Sequence, residues 1–172
     1  VQESNGPAGP TNNGAFGFGV NIAVLDTSAW IQEYTNTQGQ LVGAVHEDLG
    51  NVFMEGPATG DQFIPMGFEN FIFEPQRGTA VLGTIAATQN GLGTDGIALQ
   101  ANTMFFPVMT AQGSIDREFN AWLSAMTHLK SGDILVATYP GGGESDNIWI
   151  DRRENGVLQL LIELTDALDI TV

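Results

Sequence analysis

Several short stretches of this sequence carry side chains of the types that do chemistry. Asp26 ends an apolar run, Val20-Asn21-Ile22-Ala23-Val24-Leu25, and Arg77 is the first basic residue in the chain. His46-Glu47-Asp48 sets an imidazole beside two carboxylates, Asn90 to Gly96 (NGLGTDG) is rich in side-chain oxygens, and Thr138-Tyr139-Pro140-Gly141 follows another apolar run. A strand-end carboxylate can orient a general base, or it can be no more than a satisfied strand-end Asp. A guanidinium is already protonated near neutrality and cannot act as a base, so Arg77 reads as an ion-pair partner for Asp26 or as a solvated cation. His46 is of the type that accepts protons at neutral pH; the alternative is a histidine with no catalytic part. His128, near a helix end, reads as a surface residue compatible with the helix dipole. With no cysteine there is no disulfide, no thiol nucleophile and no thiolate metal site.

Those residues need elements to position them. The 172 residues hold 42% hydrophobic and only 15% charged side chains, enough for one domain with its own core. Residues 1–19 are a Gly-, Pro- and Asn-rich stretch, expected to form a flexible arm, with an α/β domain over 20–172. Val20–Asp26 reads as a strand buried on both faces. Gly78–Thr88 (GTAVLGTIAAT) is small and apolar all round and is expected as a helix packed on every side. Ala101–Met109 reads as a strand, Ser114–Lys130 as an amphipathic helix, Asp133–Thr138 as a strand and Asn155–Leu168 as a helix. Ile170–Val172 begins a further strand beside Asp133–Thr138. Alternation of this kind predicts an α/β fold, a parallel sheet with helices on both faces, and function at the carboxyl ends of its strands.

Charge narrows the partners. Five Lys/Arg against 20 Asp/Glu give a net charge of −15, and residues 1–76 contain nine carboxylates and no cation. Nucleic acid and anionic membranes both require positive patches, so neither is expected as a primary partner. No apolar run approaches the ~20 residues of a membrane span. There is no secretory n-region or h-region at Val1, and a start at Val is read as removal of something upstream. Low charge density with many Gly, Asn, Thr and Gln points to an extracellular or secreted protein.

Four segments resemble the subtilases, the subtilisin-like serine proteases. Gly19-Val20-Asn21-Ile22-Ala23-Val24-Leu25-Asp26-Thr27 is similar to the strand bearing that family's catalytic Asp, and His46-Glu47-Asp48-Leu49 to its H-x-D-L element. Arg77-Gly78-Thr79-Ala80-Val81-Leu82-Gly83-Thr84-Ile85-Ala86-Ala87 matches H-G-T-x-V-A-G-x-I-A-A at nearly every position except the first. Asn90-Gly91-Leu92-Gly93-Thr94-Asp95-Gly96-Ile97-Ala98 continues it as N-x-x-G-x-x-G-V-A. The resemblance runs from about Gly17 to Val172 and implies the N-terminal portion of a subtilisin-like fold.

The departures decide what the resemblance implies about activity. Arg77 stands where the family has its general base, and neither G-T-S, which carries the nucleophile, nor A-G-N, which carries the oxyanion-hole Asn, occurs in the chain. Ser28 replaces the Gly after Asp-Thr, and Ser131 precedes a Gly-Asp turn, so neither is placed as a nucleophile. One member of the triad remains, and triad residues act as a unit, so the chain alone is expected to lack protease activity. In the family's substrate strand, Thr138, Tyr139, Pro140 and Gly141 stand in for S-x-G-G, and Pro140 has no N–H to offer an extended peptide.

The resemblance also implies a structural Ca²⁺ held by Asp48, the carbonyls of Thr88, Leu92 and Thr94, and the Asn90 side chain, all hard oxygen donors. The alternative is an acidic loop that needs no ion. A second polypeptide, either a C-terminal half or another copy, is expected to cover the sheet edge near Val172 and the apolar face of the last helix. The expected function is a pseudoprotease, or a processed N-terminal chain that assembles with a partner. The alternative is a non-enzymatic extracellular binding or self-assembling module.

Overall fold

The structure is a computed structural model and describes residues 15–26, 29–31, 34–35, 41–43, 45–54, 75–108, 116–138 and 156–172. In chain order the elements are β1 (Asn21–Asp26), β2 (Tyr34–Thr35), β3 (Leu41–Gly43), β4 (Phe53–Met54), α1 (Pro75–Ala86), β5 (Asn102–Pro107), α2 (Asp116–His128), β6 (Ile134–Ala137) and α3 (Gly156–Ala167). Four strands form a parallel sheet in the order β4-β5-β1-β6, while β2 and β3 pair antiparallel as a separate ribbon.

β1 is central because its residues are apolar on both sides, which suits a strand covered by helices above and below. Its register runs from Asn21↔Asn102 to Asp26↔Pro107 on one side and from Ile22↔Ile134 to Leu25↔Ala137 on the other. Alternation along the strands sorts the core into two layers. Ile22, Val24 and Phe105 face Leu82 and Ala86 of α1, together with Ala29, Ile31, Leu49 and Val52. Ala23, Leu25, Met104, Phe106 and Leu135 face Ala121, Trp122 and Ala125 of α2, with Leu161 of α3 and Ile170. The architecture is therefore α/β, a parallel sheet with helices on both faces.

α1 begins at Pro75, three residues before the expected Gly78, and proline is well suited to a first helical position. It is not packed on every side as its composition predicts: Ala80 and Thr84 are exposed, while Gly78, Leu82 and Ala86 are buried. Small residues permit close packing without requiring it. The last turn of α1 leaves carbonyls that need donors. Ala87 N–H donates to Gly83 O (3.2 Å), and three donors come from the following loop: Gly96 to Ala87 O (3.0 Å), Ile97 to Thr84 O (3.0 Å) and Ala98 to Ile85 O (2.8 Å).

The described part of the N-terminal stretch is anchored. Ala15–Gly17 makes a 3-10 turn, Gln100 N–H donates to Phe16 O at 2.9 Å, and Gly17 lies against Ala98 and Ala101. At the start of the sheet, buried Asp133 accepts from Asn21 N–H (2.8 Å), Asn21 Nδ2 (2.7 Å) and Lys130 N–H (2.9 Å). The expected strand at 170–172 is present as a single parallel bridge, Ile134↔Thr171. Ser114 and Met109, expected at element ends, lie outside the described residues. No described helix is long and apolar enough to cross a membrane.

Candidate functional site

Period-two alternation puts Asp26 on the same face of β1 as Ile22 and Val24, the face covered by α1. Arg77, in the first turn of α1, reaches that strand end. Its Nη2 lies 2.7 Å from Asp26 Oδ1 and its Nε 3.3 Å from Oδ2, a two-pronged pair between a guanidinium and a carboxylate. Asp26 is 0% exposed and the Arg77 side chain 42%, so the carboxylate is buried while the guanidinium keeps one side in water. The pair expected from the sequence is thus present.

Thr138 completes the cluster. It follows β6, whose Ile134 and Val136 pack on the same α1-facing layer, and parity carries its side chain to the same side. Its N–H donates to Leu25 O at 3.0 Å, and its hydroxyl donates to Asp26 Oδ2 at 2.7 Å. From the sequence, Thr138 is expected to contribute only its backbone. The hydroxyl contact depends on the register between β1 and β6, which the sequence does not display. Both oxygens of Asp26 are engaged by donors, and the cation beside it cannot serve as a base near neutrality. The cluster holds a strand end and a helix start together. Tyr139, Pro140 and Gly141, the remainder of the expected substrate strand, lie outside the described residues.

His46 precedes the 3-10 turn of Glu47–Leu49 and caps it, accepting from Asp48 N–H through Nδ1 at 3.3 Å. The same nitrogen lies 3.9 Å from Asp48 Oδ2. His46 N–H donates to Trp30 O, and Trp30 N–H donates to Thr79 Oγ1, tying this segment to α1. His128 is exposed at the end of α2, with its ring 5.7 Å from that of Phe106.

A second cluster forms around buried Asp48. Asn90 Nδ2 donates to Asp48 Oδ1 at 2.7 Å, Thr88 N–H and Oγ1 both donate to the Asp48 carbonyl, and Leu92 N–H donates to Asn90 Oδ1 at 2.8 Å. Asp48, Thr88, Asn90 and Leu92 are thus neighbours, but through the Thr88 N–H and hydroxyl, the Asn90 nitrogen and the Leu92 N–H rather than through the carbonyl and amide oxygens expected of calcium ligands. A side chain at Gly93 would come within 3.0 Å of Asp48 Oδ2, so the loop passes close over the carboxylate. Asn90 presents its nitrogen to Asp48; a half-turn of the amide would set its oxygen there instead, at the cost of the Leu92 hydrogen bond. Among the described residues no group of three or more His, Cys, Asp or Glu side chains converges as a metal cluster.

The buried carboxylate that sequence reasoning missed is Asp133. Burial alone raises its pKa, but hydrogen bonds from the Asn21 N–H and side chain and from Lys130 N–H, with the Lys130 charge, outweigh burial and hold it below the ordinary value. Its available signal was an Asp between the Ser131-Gly132 turn and an apolar strand. Neither a protein-family model nor a curated protein matches this chain.

Proposed function

We propose that this chain is a non-catalytic domain on the subtilase plan, a pseudoprotease whose strand-end carboxylate is committed to structure. The observation that carries this reading is the Arg77–Asp26 pair, which stands where the resemblance puts a histidine and its orienting Asp. An arginine there closes the proton route, and the carboxylate keeps a buried, hydrogen-bonded role. The test is a fluorophosphonate probe with an active serine protease as control. No labelling is expected for the native chain or for Arg77→His, and stoichiometric labelling of either would refute the reading.

Exposed apolar side chains favour an assembling role. Leu160 and Leu164 on α3 and Leu168 just beyond its end are 50%, 39% and 48% exposed, and Val172 is 58% exposed. Such a stripe supports coverage by a second polypeptide, either a C-terminal half or another copy, in an extracellular setting. Light scattering on the native material is expected to show a complex, and a stable monomer at high concentration would remove this part. The Asp48 loop is the proposed calcium site: Asp48 and the turned Asn90 amide would supply hard oxygens, with carbonyls of Thr88, Leu92 and Thr94. Calcium is expected to raise the melting temperature relative to chelator, and no shift at millimolar calcium would exclude it.

A further inference from the structure

We propose that Asn90–Gly91 is a self-modification site, at which the fold promotes conversion of Asn90 to aspartate or isoaspartate and so releases the loop latched on Asp48. The proposal does not depend on the protease-like or calcium readings.

The reaction is cyclisation. The Gly91 backbone nitrogen attacks Asn90 Cγ and gives up its proton, a C–N bond forms, the Cγ–Nδ2 bond breaks, and Nδ2 departs as ammonia. Water then opens the five-membered imide at either carbonyl, giving aspartate or isoaspartate. Water is the only co-reactant, and nothing is oxidised or reduced.

Three features of the site favour this step. Leu92 N–H donates to Asn90 Oδ1 at 2.8 Å, so a donor already faces the oxygen on which negative charge develops as Cγ becomes tetrahedral. Asp48 Oδ1 accepts from Asn90 Nδ2 at 2.7 Å, so an anion faces the nitrogen that gains positive charge as it leaves. Asn90 and Gly91 are both exposed, Gly91 has φ +78°, and nothing lies within 4 Å of where a side chain on it would project. Water therefore has a path to the imide. The product replaces the Nδ2 donor with an anion facing Asp48, so attraction becomes like-charge repulsion. Thr88, bonded to the Asp48 carbonyl, and Gly96, bonded to Ala87 O, remain attached, and the stretch between them loses its latch on Asp48.

The test is a peptide map of the whole protein, incubated folded or in urea at one pH and temperature with a chelator present, reading the amide-to-acid mass change and isoaspartate. The chain contains Asn-Gly at Asn5, Asn13, Asn90 and Asn155, so each digest carries its own comparisons. Asn90 is expected to convert in the folded protein at least as fast as in urea. Slower conversion when folded would overturn the proposal, because the native structure would then be shielding the bond. Asp48→Asn, checked for folding by circular dichroism, is expected to slow Asn90 conversion roughly fivefold, the scale of the difference between a charge-assisted and a neutral hydrogen bond. An unchanged rate would remove the leaving-group role of Asp48. Should that variant fail to fold, the comparison of folded and unfolded native chain decides alone.

Discussion

Arg77 and Thr138, which lie 61 positions apart in the sequence, converge on the same atom. Arg77 Nε and Thr138 Oγ1 stand 3.3 and 2.7 Å from Asp26 Oδ2. One belongs to the first turn of α1 and the other to the end of β6, so a single buried carboxylate ties a helix and two strands at the carboxyl end of the sheet. Removing either donor leaves the charge in place without part of its compensation, which is costlier than losing an exposed pair.

Arg77→Ala is therefore expected to destabilise by about 2–4 kcal/mol, below the full cost of a buried pair because the guanidinium is partly solvated. Thr138→Val should cost about 1–3 kcal/mol. Because both act on one oxygen, the double variant should lose at least about 0.5 kcal/mol more than the sum. Urea denaturation of the four proteins checks this, and strict additivity would show that the two donors do not share their acceptor energetically.

Thr103 makes the opposite case. Its hydroxyl is buried in β5 with no hydrogen-bond partner among the described residues. Thr103→Val keeps the shape and removes the unsatisfied group, so stability should stay level or rise by about 1 kcal/mol. A clear loss in melting temperature would reveal a partner for that oxygen.

Gly96 is expected to tolerate no side chain. A Cβ there would stand 2.5 Å from Ala87 N and 2.7 Å from Ile85 O, both backbone atoms that cannot swing aside. Gly96→Ala should push the loop off the end of α1, break the donations to its last carbonyls and cost about 2 kcal/mol or more. Loss of amide-exchange protection at Ile97 and Ala98 is the diagnostic readout, and wild-type protection in the variant would contradict it.

Asp133 gives the acid dependence a direction. Its carboxyl has a lower pKa folded than unfolded, so the stabilisation it provides is complete above the unfolded value of about 4 and disappears as pH falls through the lower folded value. Asp133→Asn should therefore be less stable than the native chain at neutral pH, with the gap narrowing below about pH 4. A gap that stays constant through that range would mean the carboxylate form is not what matters.

What could be read from the sequence was what local pattern encodes. The apolar runs of β1, β5 and β6 and the helical spacing of α2 and α3 announce themselves, and the pairing of Asp26 with Arg77 was an expectation drawn from a resemblance of the segments around them. The start of α1 was misplaced by three residues because Gly78 began the apolar pattern, although Pro75 is the better first residue. Thr138's hydroxyl and Asp133's role depend on register between strands distant in sequence, which no local window displays. The direction of the Asn90 amide was equally hidden, since one side chain offers both a donor and an acceptor.

The pairing of β1 also sets the order in which the molecule can assemble. Its neighbours lie far along the chain: Asn21 meets Asn102 across 81 residues and Asp133 across 112. An apolar strand made early in synthesis must wait until a long stretch has been closed into a loop before even one edge is paired, and that closure entropy is spent before the contacts that offset it exist. Refolding from denaturant should accordingly be slow for a chain of this length. The waiting strand would be the point at which molecules stick to one another, so soluble yield should fall as refolding concentration rises.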